Sequence, residues 1–145
     1  EQLGWWLAKA YTMQITGAYC QTELGHGSNV RGLETTARYD PESQCFLLNT
    51  PTLTATKWWP SSMASATHAV VYAQLITNGR RCGLHVFFVQ LRDENLAPLP
   101  GVEVGDLGAK AGEPEVDIGF ARFKDVRVPR RHMFEKRQHV EPDGT

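Results

Sequence analysis

The sequence predicts a mainly β fold, an antiparallel β-sandwich or barrel-like domain that follows a short helix end. In residues 33–39, apolar or small side chains alternate with polar ones, which is the pattern of a strand with one buried face. Residues 67–77 are apolar on both faces, as is typical of a strand that is covered on two sides. About eight short strands with frequent turns favour a sandwich or a barrel.

The chain begins with the helix end. Apolar residues recur there at helical spacing: Leu3, Trp6, Leu7, Ala10 and Tyr11. We therefore expect a helix within residues 1–12. After Gly17 the pattern becomes that of strands. A turn is predicted at 40–44, because Pro41 fixes its own φ there.

The later strands follow in order along the chain. Short strands are predicted at 45–50 and 53–58. Asn78-Gly79, after the apolar strand 67–77, is a strong hairpin signal and leads into a strand at 84–91. Residues 92–100 form a polar loop that contains prolines. A final strand is predicted at 120–128, and Pro129 ends it.

The composition is that of an ordinary globular protein and argues against several classes of partner. The chain has 145 residues, 41% of them hydrophobic and 21% charged, with a formal net charge of −1. This net charge does not favour nucleic acid or an anionic membrane, and no apolar run reaches the ~18 residues of a membrane span. Three cysteines without a C-x-x-C pair indicate reduced thiols, and the five histidines have no metal-ligand spacing.

Two segments carry the functional pattern. Residues 20–37 contain three glycines, with Thr22 near their start, and a second segment reads Lys57-Trp-Trp-Pro60. Glycines let a ligand approach backbone N–H groups, and tryptophan offers a flat apolar wall, so a bound heteroaromatic cofactor fits this combination. The dinucleotide fingerprint G-x-G-x-x-G and the phosphate loop are both absent. From the residues alone, a long connection between strands remains an open interpretation.

The tryptophans and the lysine also have structural interpretations. Trp58 and Trp59 are neighbours on a predicted strand, so we expect their side chains to face opposite sides of it. From the residues alone, core packing of both is the favoured interpretation. If the segment binds a cofactor, one would belong to the core and the other would line a flavin or acyl pocket. Lys57 is expected to be a solvated charge.

These segments resemble the middle domain of peroxisomal acyl-CoA oxidases. The resemblance is carried by residues 21–37, Gln-Thr-Glu-Leu-Gly-His-Gly-Ser-Asn-Val-Arg-Gly-Leu-Glu-Thr-Thr-Ala, and by Lys-Trp-Trp-Pro. It continues through 67–79, 98–101, 104–108 and 125–129, and covers roughly Met13 to Phe134. The family usually continues Lys-Trp-Trp-Pro with two glycines, where this chain has Ser61 and Ser62.

The resemblance implies a domain arrangement. Residues 1–12 would be the end of a preceding helical domain, and 13–134 the FAD-binding middle β domain. Residues 135–145 would be a linker toward a C-terminal helical domain. Because the chain runs from Glu1 to Thr145 without those helical domains, we expect it to be a fragment of a larger α+β flavoenzyme.

The resemblance also implies which residues contact the cofactor FAD. In the family, the threonine that matches Thr22 hydrogen-bonds the edge of the isoalloxazine ring. The expected cofactor-binding residues are Gln21, Thr22, Gly27, Trp59 and Ser61.

No catalytic residue is expected within the chain. In the family, the glutamate that removes the α-proton lies in the helical domain after the β domain, here beyond Thr145. Glu23 and Glu34 do not match that motif. Residues 1–145 alone are therefore expected to be inactive.

The function implied is the first step of fatty-acid β-oxidation. A fatty acyl-CoA is oxidised to trans-2-enoyl-CoA while O₂ becomes H₂O₂, in a homodimeric enzyme of the peroxisome or of a related microbody such as a glycosome or glyoxysome. One alternative is an acyl-CoA dehydrogenase, which passes its electrons to a flavoprotein. Another is a non-catalytic β module that stacks Trp58 or Trp59 on a sugar or a peptide.

Overall fold

A computed structural model describes residues 2–112, 114–136 and 138–145. The mainly β architecture predicted from the sequence is confirmed. Within these residues, one α-helix is followed by nine strands: α1 (Gln2–Tyr11), β1 (Gly17–Cys20), β2 (Thr36–Asp40), β3 (Cys45–Asn49), β4 (Lys57–Ser61), β5 (His68–Thr77), β6 (Arg80–Gln90), β7 (Val102–Asp106), β8 (Ile118–Phe123) and β9 (Val126–Pro129). Two short 3₁₀ helices, Val30–Gly32 and Arg130–His132, lie between β1 and β2 and after β9.

The strands form two sheets. Strands β1, β5, β2, β3 and β9 follow one another in the larger sheet, and β6 pairs with β5; the smaller sheet has the order β4-β8-β7. Most pairs are antiparallel, as predicted, but β1 and β2 both run parallel to β5. These two pairs are the exceptions in a mainly antiparallel fold. Long connections before β5 let the chain return in the same direction, which a tight hairpin cannot do.

The core follows the alternation seen in the sequence. Leu33, Thr35, Ala37 and Tyr39 are all buried, and Arg38 between them is exposed, which confirms the half-buried pattern. The regular strand itself begins only at Thr36. The larger fully buried side chains of the core include Phe46, Leu48, Met63, Phe87 and Leu91.

The hairpin between β5 and β6 is the longest regular pairing of strands, and it is confirmed. Asn78 and Gly79 have φ values of 47° and 72°, the left-handed conformation that a two-residue hairpin turn of this type requires. Opposite Leu75 and Ile76 the register shifts, so that Cys82 is an extra residue in β6.

Two strand predictions need correction, and one strand is missing from the prediction. The strand predicted at 53–58 begins only at Lys57, because residues 53–56 form bends and turns. The strand predicted at 120–128 is two strands, β8 and β9, separated by a turn in which Asp125 has a φ of 51°. Strand β7 was not predicted; only Val102 in it is buried, so its burial does not alternate regularly.

Helix α1 lies on the outer face of the β5–β6 hairpin, and the predicted helix is confirmed. The Trp6 ring contacts His68, Phe88 and His132, with ring centroids 5.5, 4.1 and 5.0 Å apart. Glu1 and the side chain of Leu3 lie outside the described residues. In the described part of the chain, no helix is long and apolar enough to cross a membrane.

Candidate functional site

The glycine-rich segment spans a gap along one edge of β5. Strand β1 pairs with β5 as far as Cys20 opposite Val71, and β2 begins with Thr36 opposite Gln74. Between these points residues 21–35 leave the sheet. The irregular part of the chain is therefore anchored by a strand at each end.

This segment runs alongside the chain that leads into β4. The N–H groups of Leu24 and Gly25 donate to the carbonyls of Thr56 and Thr54, each at 2.9 Å. The N–H of Trp58 donates to the carbonyl of Thr22 at 3.0 Å. These bonds hold Thr22 beside the first tryptophan.

A bulge in β4 changes the direction of the second tryptophan. Trp58 pairs with Phe120 and Ser61 pairs with Ile118, so two residues of β4 lie opposite Gly119 alone. Trp59, within the bulge, has a φ of 54°, which is a rare conformation for a large side chain. Both tryptophans line one pocket, where the sequence led us to expect only one of them.

That pocket, called here the Thr22 pocket, has a volume of about 190 Å³. Its lining residues are Tyr19, Thr22, Trp58, Trp59, Pro60 and Ser61. Trp59 is 62% exposed, so neither tryptophan is the fully buried core residue that the sequence led us to expect. Among the described residues, the hydroxyls of Thr22 and Ser61 have no hydrogen-bond partner. They are available to a ligand.

Two of the five predicted cofactor residues lie outside this lining. The backbone carbonyl of Gln21 accepts a hydrogen bond from Lys57, and its side-chain Oε1 accepts one from the Tyr19 hydroxyl at 2.6 Å. Gly27 is exposed in the loop after the Glu23–His26 turn. Contact of these two residues with a cofactor stays a prediction, as it does for Thr22, Trp59 and Ser61.

Lys57 is fully buried, and its prediction as a solvated charge is wrong. Its Nζ donates to Glu23 Oε1 at 2.9 Å, to the Gln21 carbonyl at 3.1 Å and to the Tyr72 carbonyl at 2.7 Å. Three acceptors match the three protons of an ammonium group. Burial lowers the pKa of Lys57, and the neighbouring Glu23 carboxylate opposes that shift.

The two glutamates of the segment are committed to internal contacts. Glu23 is buried, and its carboxylate accepts from the N–H groups of Glu34 and Thr35 at 2.7 and 2.9 Å, besides its bond with Lys57. Hydrogen bonds from Thr52, His26 and Thr54 lower the pKa of Glu34 to about 2. A carboxylate that holds its proton so weakly is a poor general base near neutral pH.

Two neighbouring groups of β1, one of them in the pocket lining, have raised pKa values. The Tyr19 hydroxyl lies 3.0 Å from that of Tyr72, and this hydrogen bond, together with burial, raises the pKa of Tyr19 to about 12. Burial raises the pKa of the Cys20 thiol to about 12, against the nearby charge of Lys57. Both groups are therefore protonated at neutral pH.

A larger pocket of about 510 Å³ lies elsewhere, between β7, β8 and the end of β3. Its lining includes the exposed Arg122–Glu103 ion pair, whose charged atoms are 3.5 Å apart. It contains a single aromatic side chain, Phe123, and no tryptophan. The Thr22 pocket has the better walls for a planar ring.

Sequence reasoning missed Tyr19, Glu23 and Lys57 as parts of this site. Tyr19 stands two residues before Gln21 on β1, so alternation along the strand could have indicated it. The Glu23–Lys57 contact has no such pattern, because 34 residues separate its partners.

Comparisons with known proteins identify the family. A family model described as acyl-CoA dehydrogenase, middle domain, matches residues 18–126. Peroxisomal acyl-coenzyme A oxidase 1 of Homo sapiens is 51% identical to this chain, with 97% of the chain and 22% of that protein aligned.

Solved structures agree with this relationship. Arabidopsis thaliana acyl-CoA oxidase 1 is 52% identical with a TM-score of 0.94, over 97% of this chain and 22% of that one. Acyl-CoA oxidase-1 of Caenorhabditis elegans, complexed with FAD and ATP, is 45% identical with a TM-score of 0.96, over 99% of this chain and 22% of that one. The chain spans about a fifth of the length of the relatives it matches. It belongs to the acyl-CoA dehydrogenase middle-domain family.

Proposed function

We propose that this chain is the FAD-binding middle domain of an acyl-CoA oxidase. The observation that carries the proposal is the Thr22 pocket, where two unpartnered hydroxyls and two tryptophans meet at a strand bulge. The high identity to acyl-CoA oxidases, one of them solved with FAD, supports the same function.

The chemistry of the pocket residues matches that of a flavin. A flavin has a flat conjugated ring with a polar edge, which matches an exposed tryptophan face beside hydroxyl donors. The volume of about 190 Å³ is below the roughly 300 Å³ at which small-molecule pockets usually begin. The chain therefore offers a part of the binding surface, and other domains or a second subunit would complete it.

The chain's own residues would bind and orient the cofactor. Thr22 and Ser61 would hydrogen-bond the polar edge of the ring, and Trp59 would cover it and exclude water. When bound, FAD supplies the hydride acceptor and, in an oxidase, the route of electrons to O₂. Glu23 and Glu34 are committed to internal bonds, which argues against either of them as the base. The resemblance to acyl-CoA oxidases implies that the proton-abstracting glutamate would lie beyond Thr145.

The substrate, assembly and location of the full-length protein follow from the same proposal. The substrate would be a saturated fatty acyl-CoA, oxidised to the trans-2-enoyl-CoA with release of H₂O₂. The full-length protein would be a homodimer with a preceding and a following helical domain, and residues 135–145 would link to the latter. The names of the relatives support a peroxisomal location or that of a related microbody.

The test begins with the absorbance spectrum of the purified full-length protein. Flavin bands and H₂O₂ release from a saturated acyl-CoA are expected. Flavin bands without H₂O₂ release, but with transfer to an electron-transfer flavoprotein, would favour a dehydrogenase. A colourless protein that does not bind added FAD would contradict the proposal.

The role of Thr22 is tested by Thr22→Val. Losing one hydrogen bond costs about 0.5–1.5 kcal/mol, which corresponds to a roughly 2- to 12-fold higher Kd for FAD. Titration of the apoprotein measures it. Thr36→Val is the matched control, since Thr36 lies on β2 outside the pocket lining. Equal affinities of the two variants would exclude Thr22 as a cofactor contact.

A further inference from the structure

The gap along β5 leaves a carbonyl that no strand reaches. Strand β1 ends opposite Val71 and β2 begins opposite Gln74, so the Tyr72 carbonyl lies between them. Buried backbone groups need a hydrogen-bond partner. Here the partner is the Lys57 ammonium group, at 2.7 Å.

The same ammonium group connects elements that carry the pocket. Lys57 is the first residue of β4, which continues into Trp58, Trp59 and Ser61. Its bond to the Gln21 carbonyl reaches the residue before Thr22. Lys57 thus contacts β5 and the start of the glycine-rich segment from a strand of the other sheet.

Glu23 completes the arrangement on the other side of Thr22. Its carboxylate accepts hydrogen bonds from Lys57 and from the N–H groups of Glu34 and Thr35, where the segment returns to the sheet. Both side chains of the pair are 0% exposed. Thr22 therefore lies between Gln21, whose carbonyl binds Lys57, and Glu23, whose carboxylate binds Lys57.

We propose that Lys57, paired with Glu23, is a positioning residue for the Thr22 pocket that sets the distance between Thr22 and the tryptophan strand. The inference rests on the proposed function, because the pocket is taken as part of a flavin site. Lys57 touches no cofactor itself. It acts by holding two walls of the pocket in one relative position, so its loss alters how a bound flavin is held.

The experiment uses the full-length protein with FAD as the probe. Lys57→Met removes the ammonium group and keeps an unbranched chain. At least a roughly tenfold higher Kd for FAD is expected. At saturating FAD and below the unfolding temperature, the visible circular dichroism of the bound flavin should also change, because its surroundings are displaced.

Gln74→Leu is the matched control. Like Lys57, Gln74 is buried and bonds to backbone carbonyls, but it lies on β5. Its Nε2 donates to the carbonyls of Arg31 and Leu33 at 3.2 and 3.0 Å, and neither residue lines the pocket. Its loss should lower the Tm but leave the flavin dichroism unchanged and the Kd within about twofold. If Lys57→Met behaves like this control, Lys57 is merely structural and the inference is wrong.

Two further variants keep the test decisive. The double variant Lys57→Met/Glu23→Gln leaves no unpaired buried charge, so its Tm should recover relative to Lys57→Met while the flavin dichroism stays altered. If Lys57→Met does not fold, Glu23→Gln alone carries the test, since it keeps the size and one acceptor oxygen. Normal flavin dichroism in Glu23→Gln and in the double variant would overturn the inference. A wild-type protein without FAD affinity would overturn the proposed function as well.

Discussion

The β5–β6 hairpin and the Thr22 pocket share strand β5 but are stabilised by different means. In the hairpin, a ladder of ten paired positions, interrupted once by the register shift at Cys82, packs against an apolar layer. This layer includes Val71, Phe87 and Val89. Beside the pocket, irregular chain is held by a buried ion pair and single hydrogen bonds. The hairpin depends on packed area, and the pocket depends on the placement of a few polar atoms.

This difference determines what each region tolerates. Apolar packing responds to lost volume in proportion to the cavity that remains. A buried ion pair responds to the removal of one partner, which typically costs about 3–5 kcal/mol because the other charge stays buried. Changes in the hairpin should therefore affect global stability, and changes around the pocket should affect ligand binding as well.

The largest effect on stability is expected for Phe87→Ala. Phe87 is fully buried and its ring centroid lies 4.9 Å from that of Phe46. Its truncation should lower the free energy of unfolding by about 3–5 kcal/mol. Urea unfolding measures this, with the half-exposed Phe134→Ala as the control. A loss below about 1 kcal/mol would mean that the hairpin does not depend on this packing.

Gly119→Ala should affect both the core and the pocket, with a smaller loss of stability than Phe87→Ala. A Cβ at Gly119 would clash with the Gly105 carbonyl oxygen and with Met63 Cβ, opposite the bulge that directs Trp59. Overpacking of this kind costs about 1–3 kcal/mol. The Trp fluorescence spectrum should also shift if the bulge moves. Gly112→Ala, with nothing near its Cβ, is the control, and equal behaviour of the two would contradict the prediction.

The free energy of unfolding should depend on pH through His68, a buried group that packs among aromatic rings and not in an ion pair such as Lys57–Glu23. Burial, with the charges of His132 and Lys9, lowers the pKa of His68 from 6.5 to about 4. The neutral imidazole is therefore the form that packs against Trp6 and Phe88. Between these two pH values the unfolded chain binds the proton more readily, so this contribution to stability is complete above pH 6.5 and declines as the pH drops from there to about 4.

The variant His68→Phe should remove most of this slope. It keeps the ring contacts with Trp6 and Phe88 but cannot take up a proton. Urea midpoints at several pH values between 4 and 7 check it. An unchanged slope would assign the acid sensitivity to other groups, His132 first, since burial lowers its pKa too.

The smallest effect is expected for Ser61→Gly, which restores the residue usual in acyl-CoA oxidases. It removes a hydroxyl from the pocket and allows closer approach of a ligand to the backbone. These changes oppose each other, so the Kd for FAD should stay within about threefold of the wild-type value or improve slightly. A large loss of affinity would show that the hydrogen bond of the Ser61 hydroxyl outweighs the closer approach to the backbone.

Local patterns predicted the hairpin, and contacts between distant residues shaped the pocket. Asn78-Gly79 and the two-sided apolar strand lie within a few residues of one another, so their conformation could be predicted directly. The direction of Trp59 depends on Gly119 in another strand, and the burial of Lys57 depends on Glu23. Such contacts join residues far apart in the sequence, so periodicity cannot predict them. The resemblance to a family indicated the right segments but not these internal bonds.

The shared edge of β5 has a consequence for the order of folding. The β5–β6 hairpin needs only a two-residue turn, and hairpins form within about 1–10 μs. To pair with β5 in parallel, β1 and β2 must close much longer loops. We therefore expect the hairpin to form early as a template on which β1 and β2 dock separately, with the segment between them ordered last. Pulse-labelled hydrogen exchange should find β5–β6 amides protected before those of Gly17–Cys20. Until docking is complete, the newly made chain exposes an unpaired strand edge open to intermolecular pairing.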